Sequence, residues 1–192
     1  GSIKGVVVNN NETIESEVVI LAIGHSARDT YKMLYNRGVT IIQKPFAIGA
    51  RIEHPQELIN KSQYKEFYNH PRLGAADYRL IEHTSNLRTA YTFCMCPGGV
   101  IVNASSELNT SLVNGMSYSQ RDGRFSNSAI VVGVKENDFG SHLFAGMEFQ
   151  EKLERKTYEL GQGYGALYQG VLDFMNNKKT TYEIESSYEM KK

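Results

Sequence analysis

Neither sign of charge prevails in this chain: 21 basic residues meet 21 acidic ones for a formal net charge of zero, and no run of like charge stands out. The electrostatic footprint of a nucleic-acid binder is therefore missing, and nucleic acid is not expected as a partner. Long apolar runs are missing too. None approaches the roughly 20 residues needed to span a bilayer, and the N-terminus has no basic-then-apolar signal pattern, so no membrane partner is expected and a cytoplasmic location fits. Cysteine is scarce. Cys94 and Cys96 are the whole complement, which makes neither a disulfide framework nor a four-ligand zinc set and suits a reducing compartment. The five histidines, His25, His54, His70, His83 and His142, are scattered without ligand spacing, so no metal is expected. No internal repeat is visible.

What is present is enough for one good core or two small ones: 192 residues with 41% hydrophobic content. The stretch that organises the chain is Val18 to Arg28. Val18 to Ile23 is apolar without interruption, which predicts a strand covered on both faces. Gly24 then permits a sharp turn, and Ser26 can cap a helix from about Ala27 to Arg37, with Asp29 completing an imperfect capping box. Ala27, Tyr31 and Leu34 fall on one helical stripe, and Gly38 is the natural stop. Strand, glycine and helix N-terminus together aim backbone N–H groups at an anion or cofactor. Gly24, His25 and Ser26 are therefore the first candidate site. Upstream, Gly5 to Val8 and Glu17 to Ile23 predict a hairpin or meander, joined through Asn9, Asn10, Asn11 and Glu12, where asparagine tolerates left-handed geometry.

Beyond the helix the pattern changes to antiparallel. The segment KPFAIGARIEH alternates, with Phe46, Ile48, Ala50 and Ile52 on one face and Ala47, Gly49, Arg51 and Glu53 on a wet one. Pro55 is placed to open a short helix carrying Leu58 and Ile59, fraying near Tyr68 to Pro71. Strands follow around Asp77 to His83 and Thr89 to Cys96, then a turn forced by Pro97-Gly98-Gly99 and a strand over Val100 to Ala104. Ser105 to Arg124 reads as a long functional loop. Ser126 to Lys135 alternates again, with Ser128, Ile130, Val132 and Val134 on one face. A helix from about Leu143 to Leu160 shows Met147, Phe149, Leu153 and Leu160 on its apolar side and Glu148/Lys152 and Glu151/Arg155 as i, i+4 pairs. Gly161-Gln162-Gly163 ends it. A last helix carries Leu167, Val171 and Phe174, and the tail from Asn176 to Lys192 is polar. The fold class is α+β, a mostly antiparallel sheet with helices, preceded by a β-hairpin and a strand–helix unit.

Several motifs carry two readings. GHSAR, Gly24 to Arg28, has the outline of a serine-hydrolase elbow with Ser26 as nucleophile, but Arg28 stands where a small residue lets the helix pack, and the antiparallel continuation argues for a helix cap instead. GQGYGA, Gly161 to Ala166, has dinucleotide-loop spacing but follows a helix rather than a strand, so it reads as a helix stop. Cys94 and Cys96, as i and i+2 on a strand, would share one face, either as a redox pair or as two small side chains. Arg51, Arg121 and Arg124 could hold an anionic substrate or make surface contacts.

At VVILAIGHSARDTYKML the sequence resembles a family of FAD-dependent dehydrogenases in the two-dinucleotide-binding-domain flavoprotein group. The resemblance takes in GVVVNNNETIESE as their β-meander and Ala22-Ile23-Gly24 as an A-T-G-like turn. It continues through KPFAIGARIEHPQ, TFCMCPGGVIVNASSE, NGMSYSQRDGRFSNSAIVV and EFQEKLERKTYELGQGYGA. It implies hydride transfer through flavin, to or from a small-molecule substrate or NAD(P)H. Residues 1–43 would be part of an FAD-binding domain and residues 44–192 an inserted substrate or cap domain, with the remainder of the FAD domain as their partner. Gly24 would lie against the FAD, with His25 and Ser26 nearby. Cys94, Cys96, Pro97, Gly98, Gly99 and the loop from Arg121 through Arg124 to Asn127 would wall the substrate cavity. The family's first strand with its G-x-G-x-x-G loop, and its C-terminal G-D-like segment, are not among these 192 residues. The chain, which opens directly on a strand after a Gly1-Ser2 read as a cloning remnant, is therefore expected to be a piece of a longer protein that does not hold FAD alone. A non-catalytic domain binding a peptide, small molecule or subunit through its wet face is the other alternative.

Overall fold

A computed structural model describes residues 2–85 and 88–188; residue 1 and the last four residues of the polar tail lie outside it, as do residues 86 and 87. The chain divides into two compact units, residues 1–40 and 41–192.

The first unit is a hairpin and a helix. Strand β1, Gly5–Val8, pairs antiparallel with β2, Glu12–Glu15. The turn works as the asparagines predict: Asn9 and Asn10 take φ of 52° and 55°, and the Asn11 amide closes back on the Val8 carbonyl at 3.0 Å. The second strand is not the one expected. It lies earlier in the chain, and Val18 to Ile23 forms no strand at all. Val18 is 74% exposed and Ile20 86%, so among the described residues the run has neither sheet neighbours nor a cover. Helix α1, Arg28–Asn36, follows.

The second unit is α+β and its sheets are antiparallel. Strand β3, Phe46–Pro55, leads into α2, Gln56–Tyr64, and a short 3-10 turn, Lys65–Phe67. Pro55 is the cap before this helix rather than its first residue, since its ψ of 135° is extended. Then come β4, Ile81–His83, β5, Thr89–Cys96, β6, Gly99–Asn103, β7, Val113–Ser117, and β8, Phe125–Val134. Four strands make one sheet in the order β3-β8-β5-β4, while β6 and β7 pair separately. β7 corrects the expected long loop over Ser105 to Arg124. Its sequence, VNGMS, has weak strand character, and pairing with β6 from Gly99↔Ser117 to Asn103↔Val113 supplies what local preference does not.

β8 is the centre of the large sheet. Ten of its residues pair with β3, from Phe125↔Pro55 to Val134↔Phe46, and its other edge pairs with β5. Its most enclosed side chains are polar: Ser126, Asn127 and Ser128 are all 0% exposed. Such groups are tolerated inside only when hydrogen-bonded, and this triplet anchors the candidate site.

A four-residue helical turn, α3, Glu136–Phe139, precedes the long helix α4, Ala145–Leu160. Phe139 stacks on Phe46 with ring centroids 5.2 Å apart and tilts against Phe149 at 6.3 Å, which packs α4 onto the start of β3. Of the two predicted helix pairs, Glu151–Arg155 forms at 2.7 Å, whereas Glu148 faces His142 Nε2 at 3.1 Å. Leu153 and Leu160 are exposed rather than buried. The last helix, α5, shrinks to Val171–Met175; Leu167 is outside it and Val171 and Phe174 face outward, so their spacing marks no buried stripe.

Candidate functional site

The turn at Gly24 to Ser26 belongs to the first unit. Gly24 takes φ +75° with nothing within 4 Å of the position a Cβ would occupy, and its carbonyl accepts from the Tyr31 hydroxyl at 3.0 Å. Ser26 is not the helix cap: Ala27 occupies that place and makes no side-chain cap bond. The Ser26 hydroxyl instead lies 3.3 Å from Nε2 of adjacent His25. Asp29, expected to complete the capping box, accepts from the amide of its neighbour Thr30 at 2.8 Å. No strand precedes it among the described residues, whereas a nucleophile elbow's strained turn is held by one, and Arg28 stands where the elbow needs a small residue.

The second unit places a polar cluster across the middle of its main sheet. Arg51 on β3 reaches over β8, and among the described residues all its hydrogen-bond partners are neutral. Nε donates to Asn127 Oδ1 at 2.7 Å, Nη1 to Asn114 Oδ1 at 3.2 Å, and Nη2 to the Cys94 carbonyl at 2.6 Å with Cys96 Sγ at 3.7 Å. The face expected to be wet is thus half-covered, with Arg51 and Glu53 both only partly exposed. Glu53 is engaged elsewhere on that face: its carboxylate accepts from the Ser187 amide at 3.1 Å and from the Ser187 hydroxyl. Ser187 Oγ in turn accepts from the Ile101 amide at 2.9 Å, so the C-terminal segment is pinned to both sheets.

Cys94 and Cys96 do not share a face. Pairing of β5 with β8 slips between Phe93 and Cys96, and Cys94 sits in that irregularity with φ +46°. The bulge re-aims one side chain. Cys94 is exposed and Cys96 buried, both free thiols. The Pro97-Gly98-Gly99 turn is buried as well, so it forms core rather than an open wall. Gly98 has φ +51°, donates to Gln56 Oε1 at 2.7 Å and accepts from the Gly123 amide at 3.1 Å. A Cβ at Gly98 would stand 2.0 Å from the Arg121 carbonyl oxygen, so only glycine lets the 121–123 loop close over the turn.

Arg121 is exposed, with φ +53°. Arg124 makes a two-pronged ion pair with Glu185, 2.6 Å at each prong, which holds the Glu185 carboxyl below its usual range. Both arginines border a shallow groove of about 460 Å³ with Gln56, Asn60 and Gly74. Gly161 is the C-cap of α4, with Gln162 and Gly163 at positive φ, so GQGYGA is a helix stop. Among the described residues no group of His, Cys, Asp and Glu could hold a metal, and no helix is long and apolar enough to cross a membrane.

One constellation escaped the sequence reading. His54, on the opposite face from Arg51, has Nε2 2.8 Å from the Tyr78 hydroxyl and Nδ1 2.9 Å from the Ser126 hydroxyl. Burial lowers the His54 pKa and raises that of Tyr78. Close by, fully engaged Gln56 donates to Asn60 Oδ1 at 2.8 Å and the Ala76 carbonyl at 2.9 Å. The available signal was the S-N-S triplet heading an otherwise apolar strand, since polar residues at core positions need polar partners.

A family model described as "FAD-dependent protein, C-terminal domain-like" matches residues 45–192. The chain is 52% identical over 193 aligned positions to an "Uncharacterized protein" of Clostridium beijerinckii, covering 98% of this chain and 36% of that relative. FAD requires backbone N–H groups gathered at a strand–glycine–helix junction to take its pyrophosphate. Neither glycine junction here supplies one, because Gly24 follows an unpaired stretch and Gly161 follows a helix.

Proposed function

The chain belongs to the FAD-dependent protein C-terminal domain-like family, and from that premise we propose that residues 44–192 are the inserted substrate-side domain of a longer cytoplasmic FAD-dependent dehydrogenase. Residues 1–43 then contribute part of its FAD-binding domain. The flavin of that longer protein supplies hydride transfer, with a small-molecule substrate and NAD(P) as its exchange partners. The observation that carries this reading is the run Val18 to Ile23. It has the composition of a central strand but no strand neighbours among the described residues, and Val18, Ile20 and Leu21 are each more than half exposed. Strands of the remaining FAD domain would give it the missing hydrogen bonds and cover. Gly24, at its end, has the open backbone that close approach of a cofactor requires, with His25 and Ser26 beside it. On the substrate side stand Arg51 and Cys94, with Arg121 and Arg124 at the neighbouring groove.

Two preparations test the reading. The 192-residue chain, mixed with excess FAD and passed through gel filtration, is expected to emerge colourless, whereas the longer clostridial relative retains flavin absorption. Stoichiometric flavin on the short chain contradicts the division of the cofactor site, and a flavin-free long relative that takes none up rejects the flavoprotein assignment.

A further inference from the structure

We propose that the row of the main sheet running from Arg51 to Phe93 binds a planar anion, an aromatic or conjugated carboxylate, with the guanidinium holding the carboxylate and the phenyl ring the plane. This deepens the reading above by naming the substrate class, and it rests on that reading for the ligand's role as substrate.

Directly opposed residues on antiparallel strands share a face. Arg51 opposes Ala129, and Ala129 opposes Phe93, so guanidinium and phenyl ring belong to one row with only a methyl group between them. Phe93 is 59% exposed, an aromatic surface without a cover.

The guanidinium carries an uncompensated charge. It is half-buried, yet its partners are two amide oxygens, a carbonyl and a thiol, and among the described residues it makes no ion pair. The carboxylate on the same face, Glu53, is drawn away by Ser187. A partly desolvated cation normally recruits an anion.

Beside it lies an unspent donor. Asn127 is 0% exposed and its Oδ1 accepts from Arg51 Nε at 2.7 Å, which fixes the amide, since a flip would set donor against donor. Its Nδ2 then has no acceptor. An inward charge, an orphaned N–H pair and an outward ring make the complement of a flat molecule with a charged pair of oxygens at one end. Space for the fork depends on Gly115, where a Cβ would lie 2.5 Å from Arg51 Nη2 and 2.1 Å from Asn127 Oδ1. Asn114 and Cys94, both exposed, hold the outer N–H groups by bonds that an incoming carboxylate can replace.

Benzoate is the probe, titrated into the ¹⁵N-labelled chain and compared with benzamide, its neutral counterpart, and acetate, which lacks the ring. Benzoate is expected to move the Arg51 Nε–H and Asn127 side-chain resonances and to bind about tenfold or more tighter than benzamide, the worth of a charge-assisted bond. Arg51→Lys keeps the charge but loses the fork, and weakens benzoate by about tenfold. Phe93→Ala, at an exposed position where folding is not at stake, weakens benzoate and leaves acetate unchanged. Equal binding of benzoate and benzamide, indifference of benzoate to Phe93→Ala, or absence of any shift at about 10 mM benzoate each overturns the proposal. None of these measurements involves flavin, so their failure leaves the flavoprotein reading standing, and a flavin-free long relative would leave a carboxylate site standing.

Discussion

Val18 to Ile23, VVILAI, and Ala129 to Val134, AIVVGV, are two six-residue runs of nearly the same composition. One is the end of the central strand of a four-stranded sheet; the other forms no strand and stands in solvent. The run that pairs is the one carrying a strand-disfavouring glycine, Gly133, so strand propensity does not decide between them. What differs is the number of partners. β8 has β3 along its whole length on one edge and β5 as far as Val132 on the other, which pairs its backbone groups, whereas among the described residues no strand pairs with Val18 to Ile23. A strand is a pairing, not a property of its own residues.

The sharpest way to break the comparison is to place a charge in each run. Val134→Asp, at a position only 5% exposed, leaves an unpaired carboxylate in the interior and is expected to cost about 3–5 kcal/mol. Urea denaturation reads it, and a loss below about 1 kcal/mol would mean that this end of β8 is not held as described. Next in size is Gly98→Ala, in the turn by which the chain leaves β5. A residue at φ +51° with its Cβ against the Arg121 carbonyl must strain itself or push the 121–123 loop aside, at about 3 kcal/mol. The same denaturation assay checks it, and an unchanged midpoint would show that the loop yields freely.

The contact between β3 and β8 has a pH signature. Burial lowers the folded pKa of His54 below its ordinary 6.5, so the unfolded chain takes up the proton first as pH falls. The stabilising share of neutral His54 is whole above 6.5 and is lost as pH drops from there through the depressed folded value. His54→Gln is expected to flatten this part of the stability-versus-pH curve while leaving the slope at higher pH untouched. Identical curves for parent and variant would remove His54 from the account. Smallest of all, Ile20→Asp, at a residue 86% exposed, is expected to change the stability of this chain by less than about 0.5 kcal/mol. In the longer relative the equivalent change should lower flavin retention, which would separate a run awaiting neighbours from one that has no use for them.

Much of the second unit was legible. The alternation of β3 and β8, the extent of β5 and the length of α4 follow from residue periodicity, because apolar spacing is a local signal, although burial does not follow all of it: Ile130, Leu153 and Leu160 stay exposed. Less legible was the chemistry. Arg51 could be placed on a polar face, but that its guanidinium would meet Asn127, Asn114 and the Cys94 carbonyl depends on β7 and the β5 bulge, neither of which has a clear local signature. His54 looked like one scattered histidine among five until the β3–β8 register set it opposite Ser126. The 160–182 region misled in the other direction: Leu167, Val171 and Phe174 have helical spacing but never share a buried helix face.

The amino-acid sequence by itself determined the local alphabet of this protein: which stretches alternate, where asparagine and glycine turn the chain, where the long helix runs, and the family resemblance. The first three are decided within a few residues by sterics and side-chain periodicity, and the resemblance rests on the motifs from VVILAIGHSARDTYKML onward. Only the tertiary structure decided which apolar run became a strand, which cysteine was buried and which polar groups met, since each depends on a hydrogen-bond partner or a cover supplied by residues far away along the chain.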